Sequence, residues 1–187
     1  MIYILFDTAL NGLYTLAMLQ KAYPDNRSLF KGTKDENLAD VAPYIFRVDE
    51  KFFETIEDPY VSLEAMLVFE SDEKTDNLLA HFQPFIYKTI NGQENYFRFW
   101  DARVFERFIP GADFEKRDAF FDGIKTYYSI NIKNEKTKTF SIRRGKLQSE
   151  TVPLNKLFAL PVDEPEEMEA TSTEGINQNK KIKRKFF

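Results

Sequence analysis

The segment from Phe97 to Val104, FRFWDARV, holds the densest set of side chains with chemical potential in the chain. On an extended backbone Arg98 and Trp100 share one face. A buried arginine is costly unless it is paired, and Asp101 is the nearest acid. We therefore expect an Arg98–Asp101 ion pair that pins a helix onto a sheet. The alternative is a protein-binding surface that includes Arg103, because tryptophan and arginine are typical interface anchors.

Two further residues have a structural and a chemical interpretation. Asp7 follows the apolar run IYILF, where an acid at a strand end can be catalytic or bind Mg²⁺. We expect it instead to cap the turn that follows. His81 is the only histidine and precedes Phe82, and we expect a structural or surface role for it rather than a direct one.

The residue inventory excludes most enzyme signatures. Cysteine is absent and histidine occurs once, so thiolate sites and histidine-rich zinc sites have no ligands. The seven glycines are scattered and form no phosphate-binding loop. The sequence therefore predicts no enzyme, no metal and no cofactor. An enzyme that uses acids around Asp7 and Asp101 stays open as a minor alternative, since pairs of carboxylates that meet only in space are invisible in a sequence.

Composition limits the partners. The net charge is −4, and no basic cluster occurs before residue 180, which argues against nucleic acid as a partner. No stretch approaches the about 20 apolar residues of a membrane span, and the start lacks the pattern of a secretory signal. We expect a cytoplasmic protein. Nineteen Phe, nine Tyr and one Trp either fill a large core or leave rings over for a partner surface.

The hydrophobic patterns predict an α+β fold, with a mixed or antiparallel sheet flanked by short helices. Asn91-Gly92 between two β-rich runs is the clearest hairpin signal. The expected strands are 2–6, 44–48, 60–69, the two arms of that hairpin, 125–132 and 137–142. The expected helices lie at these places: from Asn11-Gly12 to Pro24, directly after Asp49, over about residues 72–82, directly after the cap Asp101, and over the segment DFEKRDAFF.

The composition changes after Leu160. Five acids lie between Asp163 and Glu169, and five basic residues lie between Lys180 and Lys185. Such charge runs with few apolar residues are typical of a solvated tail. We expect one domain over residues 1–160 and a flexible tail over 161–187, with a docking element as the alternative for the tail.

Five short elements, in order, resemble one known family. They are the run Tyr3, Leu5, Asp7, Ala9; the loop Leu29, Phe30, Gly32, Thr33; the element Ala42, Pro43, Tyr44; the helix with His81 before the hairpin glycine Gly92; and the segment Phe97, Arg98, Asp101, Arg103, Val104. In this order they resemble the effector adaptors, or chaperones, of the bacterial type VI secretion system, a family formerly classed as a domain of unknown function. The resemblance covers about residues 3–124.

The resemblance implies a non-catalytic adaptor. Such proteins bind a toxic effector in the producing cell and load it onto the spike protein of the secretion apparatus. It also implies that Asp7, His81, Arg98, Asp101 and Arg103 are motif or partner-binding residues, and Trp100 joins this set as a typical interface anchor. The alternative is an immunity protein that neutralises a toxin by direct binding, because small acidic domains also suit the blocking of a basic cleft.

Overall fold

Seven antiparallel strands form the main sheet in the part of the protein that the computed structural model describes, residues 1–52, 66–131 and 136–153. The strands of this sheet are β1 (Ile2–Asp7), β2 (Asn26–Ser28), β3 (Pro43–Val48), β4 (Leu67–Ser71), β7 (Ile124–Asn131), β8 (Lys136–Arg143) and β9 (Lys146–Pro153). A separate hairpin consists of β5 (Tyr87–Ile90) and β6 (Gln93–Tyr96). The helices are α1 (Thr8–Ala22), α2 (Thr75–Phe82), α3 (Ala102–Phe108) and α4 (Phe114–Phe121).

The main sheet has the strand order β2-β3-β1-β4-β7-β8-β9. β1 lies between β3 and β4, with Leu5 opposite Ile45 on one side and opposite Leu67 on the other. A strand in this position is covered on both faces, which explains its unbroken apolar run. The antiparallel sheet with short helices confirms the α+β prediction as a single domain.

Helix α1 begins earlier than predicted and contains a break. Its first turn starts at Thr8, and Gly12 then adopts φ 86° and ψ 162°, a conformation that interrupts the helix before Leu13. Asn11 donates a side-chain hydrogen bond to the backbone oxygen of Asp7 at 3.0 Å and holds the first turn in place. The prediction that Asn11-Gly12 opens the helix therefore located the break but missed the turn before it.

Substitution of Gly12 by alanine is expected to lower the free energy of unfolding by about 1–3 kcal/mol, because L-residues rarely adopt that backbone conformation. No heavy atom lies within 4 Å of the added Cβ, so strain alone causes the loss. Gly111 is the control, because it also has open space but no positive φ. Urea unfolding should place Gly111→Ala within about 0.5 kcal/mol of wild type, and an equal cost at both positions would contradict this interpretation.

The later elements mostly follow the predictions, but the second arm of the hairpin ends at Tyr96 and does not continue as a strand through FRFW. The hairpin turn at Asn91 and Gly92 has the two positive φ angles of a type I′ turn, 53° and 75°. Helix α2 begins at Thr75 rather than at about residue 72. Strands β2 and β9 were not predicted. Most of the expected helix after Asp49, most of the strand 60–69 and the tail 161–187 lie outside the described residues.

Aromatic side chains account for much of the core. Phe82, Phe99, Phe105, Phe120 and Tyr127 are each at most 2% exposed and connect α2, α3 and α4 to β7 through ring contacts. Among the described aromatic residues, Tyr14, Tyr96 and Phe114 are the exposed ones, at 66%, 46% and 57%. Most of the described aromatic rings therefore belong to the core. None of the helices in the described ranges is long and apolar enough to cross a membrane.

Candidate functional site

Asp7 lies at the junction of β1 and α1. It is 4% exposed, is the last residue of the strand, and caps the helix by accepting a hydrogen bond from the Leu10 N–H at 3.3 Å. The predicted capping role is confirmed. A side-chain acceptor at this position satisfies one of the backbone donors that a helix leaves unpaired at its start.

The second oxygen of Asp7 receives two donors from the FRFW segment. Arg98 Nη2 and Trp100 Nε1 both donate to Oδ2, the tryptophan at 3.0 Å. Trp100 is 3% exposed, whereas the Arg98 side chain is 46% exposed. We name Asp7, Arg98 and Trp100 the Asp7 hub. It ties the segment before α3 to the start of α1.

The predicted Arg98–Asp101 ion pair is wrong. Asp101 pairs with Arg103 instead, whose Nε and Nη2 donate to the two carboxylate oxygens at 3.0 and 2.7 Å. Asp101 also caps α3 through the Arg103 N–H at 2.9 Å, as predicted, and forms an isolated bridge with Met66. Because Asp101 is already paired with Arg103, Arg98 pairs with Asp7 instead.

Burial alone would raise the pKa of Asp101, but hydrogen bonds from Arg103 and the charges of Arg103 and Arg98 outweigh it and lower the pKa. A carboxylate held ionised in this way is a poor proton acceptor near neutral pH. The charge of Arg98 acts on Asp101 although Arg98 bonds to Asp7, so the two ion pairs are neighbours. Their geometry suits positioning of two helix starts better than proton transfer.

The buried members of the predicted site are closed to a large partner. Asp7, Trp100 and Asp101 are each at most 4% exposed, while the side chains of Arg98 and Arg103 are 46% and 59% exposed. A docking protein would meet only the two arginines of this set. The other three residues would act by fixing α1 and α3 where they lie.

His81 lies apart from the Asp7 hub, in the aromatic core. Its ring makes edge contacts with Phe82 and Phe85 at 4.7 and 5.7 Å between centroids. Burial lowers its pKa, against the raising effects of the Asp122 charge and a hydrogen bond with the Phe120 backbone. Nε2 is buried and has no hydrogen-bond partner among the described residues. This environment favours a neutral packing residue, in agreement with the structural interpretation.

Sequence reasoning missed a second polar cluster, where the loop after Phe30 meets the β5–β6 hairpin. Tyr87 and Tyr96 both donate their hydroxyls to Asp35 Oδ2, at 2.7 and 2.8 Å. Burial and the Asp35 carboxylate raise the pKa of Tyr96 to about 12, while the two hydroxyls lower the pKa of Asp35. Phe30 also stacks on Tyr96 with 5.7 Å between ring centroids. The hairpin is thus held on the loop by polar and apolar contacts together.

Sequence reasoning also missed an exposed apolar surface on α1. Leu10, Leu13 and Tyr14 are 37%, 52% and 66% exposed. The turn over residues 36–41 packs against α1 and adds Leu38 and Val41, at 45% and 48% exposure. We name these five residues the apolar α1 face. The signal was present in the sequence, since residues 8–20 contain no charged side chain.

Metal binding finds no support within the described ranges, where no three His, Cys, Asp or Glu side chains gather into a group able to hold an ion. The Asp7 and Asp101 carboxylates are instead occupied by N–H donors.

Comparison with protein families assigns the chain to a known group. The model of the domain of unknown function DUF4123 matches residues 2–119, well over half of the chain. The chain belongs to the DUF4123 family. The matched range contains the Asp7 hub, the Asp101–Arg103 pair and the apolar α1 face, and it ends within α4. No curated protein and no solved structure matches the chain.

Proposed function

We propose that this DUF4123 protein is a cytoplasmic adaptor, or chaperone, that binds an effector of a type VI secretion system and helps to load it onto the spike protein. The observation that carries the proposal is the family match together with the order of the motif elements. Two of these elements, separated by about 90 residues, meet at Asp7. The family pattern thus coincides with a junction that sets the position of α1.

The proposed mechanism is rigid presentation of a binding surface. Asp7 caps α1 and at the same time holds Arg98 and Trp100, so the start of the helix is tied to the sheet and to the segment before α3. A surface that is fixed before binding loses less conformational freedom when the partner docks. The adaptor would hold an effector segment without chemistry, and release would follow when the spike complex is assembled.

Secretion by the native host tests the proposal. Deletion of the gene is expected to abolish export of one effector while the cells remain resistant to that effector's toxic domain. Two observations would instead support the immunity alternative. The deletion strain would be killed by its own toxin, and cells that express the catalytic domain of the toxin would survive when this protein is supplied. Export of every effector at the wild-type level would contradict the adaptor role.

A further inference from the structure

The helix α1 has the composition of a buried helix but lies at the surface. Ordinary surface helices carry charged residues on the face turned to water. Here residues 8–20 contain none, and Leu13 and Tyr14 are the most exposed large apolar side chains of the helix. Exposed apolar side chains gathered on one helix and on the turn packed against it mark an interaction site on a folded protein.

The turn that contributes to this surface is acidic. Asp35, Glu36 and Asp40 lie on or beside the turn that supplies Leu38 and Val41. Glu36 and Asp40 are exposed, while Lys34, the neighbouring cation, forms an ion pair with Glu94. A partner that buries the apolar residues would therefore bring the acids close to its own rim, where basic residues complement them.

We infer that the apolar α1 face, bounded by Glu36 and Asp40, is the docking site for an amphipathic helix of the cargo protein, with basic residues beside its apolar stripe. The inference rests on the proposed function and adds the partner's chemistry and the surface that receives it. Helix-in-groove recognition uses apolar anchors at i, i+3, i+4 and i+7 on the incoming helix. A second copy of this chain is a poorer occupant, since it would present the same acidic residues.

The test uses the full chain and a synthetic fluorescein-labelled helical peptide of about 18 residues, with a leucine stripe flanked by lysines. Two control peptides replace lysine by glutamate or scramble the stripe at constant composition. Fluorescence anisotropy should show affinity for the lysine peptide at least about tenfold above both controls. Equal binding of all three peptides, or preference for the glutamate peptide, would overturn the inference.

Variants locate the binding surface. Leu13→Glu and Tyr14→Glu are expected to weaken the lysine peptide by at least about tenfold, because each places a charge in the docking surface. Phe114→Glu is the matched control, since Phe114 is 57% exposed but lies on α4, and it should change affinity by less than about twofold. The double variant Glu36→Lys with Asp40→Lys should reverse the preference toward the glutamate peptide. Equal losses for Leu13→Glu and Phe114→Glu would overturn the inference.

Three other outcomes would assign the face to a different occupant or to none. A wild-type dimer that Leu13→Glu dissociates in sedimentation equilibrium would identify a second copy. If the full chain with Phe186→Ser and Phe187→Ser binds the lysine peptide about tenfold more tightly than wild type, the occupant of the face is the chain's own C-terminal segment. If Leu13→Glu captures a cargo protein as well as wild type does, the docking face is overturned and the adaptor proposal stands. If wild type captures no cargo, the adaptor proposal itself is overturned.

Discussion

Replacement of Phe120 by alanine is expected to lower the free energy of unfolding by about 3–5 kcal/mol. Phe120 is 2% exposed and stacks on Phe85 at 4.2 Å between ring centroids. It also contacts Phe99 and Phe108 at 5.6 and 5.4 Å, so its ring connects α3, α4 and the segments beside them. Removal of the ring loses its buried apolar area and leaves a cavity that the neighbouring rings fill only in part.

The same helix supplies the control for this prediction. Phe114 begins α4 and is 57% exposed, so Phe114→Ala should stay within about 0.5 kcal/mol of wild type. Urea unfolding followed by far-UV circular dichroism measures both variants. If the two substitutions cost the same, α4 does not cover the aromatic core as described.

Replacement of Asp7 by alanine is expected to lower the free energy of unfolding by about 2–4 kcal/mol. Loss of a helix cap costs about 1 kcal/mol, and a buried N–H without an acceptor, here that of Trp100, costs about 1–3 kcal/mol. The ion pair with Arg98 adds little, because that side chain is 46% exposed and solvent screens it. The effect exceeds that of an ordinary cap because one carboxylate serves three donors.

Trp100 is the only tryptophan, so its fluorescence reports directly on the Asp7 hub. In Asp7→Ala the emission of the folded protein should change, because the indole loses its hydrogen bond to the carboxylate. Asp113→Ala is the control, since Asp113 also caps a helix, through Lys116 N at 2.9 Å, but is exposed. It should cost less stability and leave the emission unchanged. Wild-type emission in Asp7→Ala would show that the carboxylate does not hold the indole.

Features with local causes were predictable from the sequence. The caps at Asp7 and Asp101 depend on residues within three positions, and the Asn91-Gly92 turn depends on two adjacent conformations. The central strand β1 was visible because burial on both faces leaves an unbroken apolar run. Such signals predicted the fold class and most of the elements.

Features that depend on distant residues were not predictable. Arg98 was paired with the nearest acid in sequence, but it bonds to Asp7, 91 positions earlier. Tyr96 and Asp35 are 61 positions apart, and neither carries a local signal of their hydrogen bond. Strand β9 was missed because it is an edge strand with most of its side chains exposed, so it lacks the alternation that identifies a half-buried strand.

The apolar α1 face illustrates a third case. Its signal was in the sequence, as thirteen residues without a charge, but helical spacing alone does not show which face of the helix is exposed. The exposure of Leu13 and Tyr14 depends on which neighbours cover α1, and those neighbours are set by the sheet order. A charge-free surface helix is therefore informative only after the fold is known.

The central claim, that this protein works by holding a secretion effector, is tested most directly by the mass of the complex. The full chain would be co-expressed with each effector and spike protein encoded beside its gene, and the purified product measured by size-exclusion chromatography with light scattering. We expect one effector to elute with this chain at the sum of its own mass and 22.0 kDa, a one-to-one complex. The claim would be contradicted if the chain elutes as a separate species after co-expression with each of those candidates.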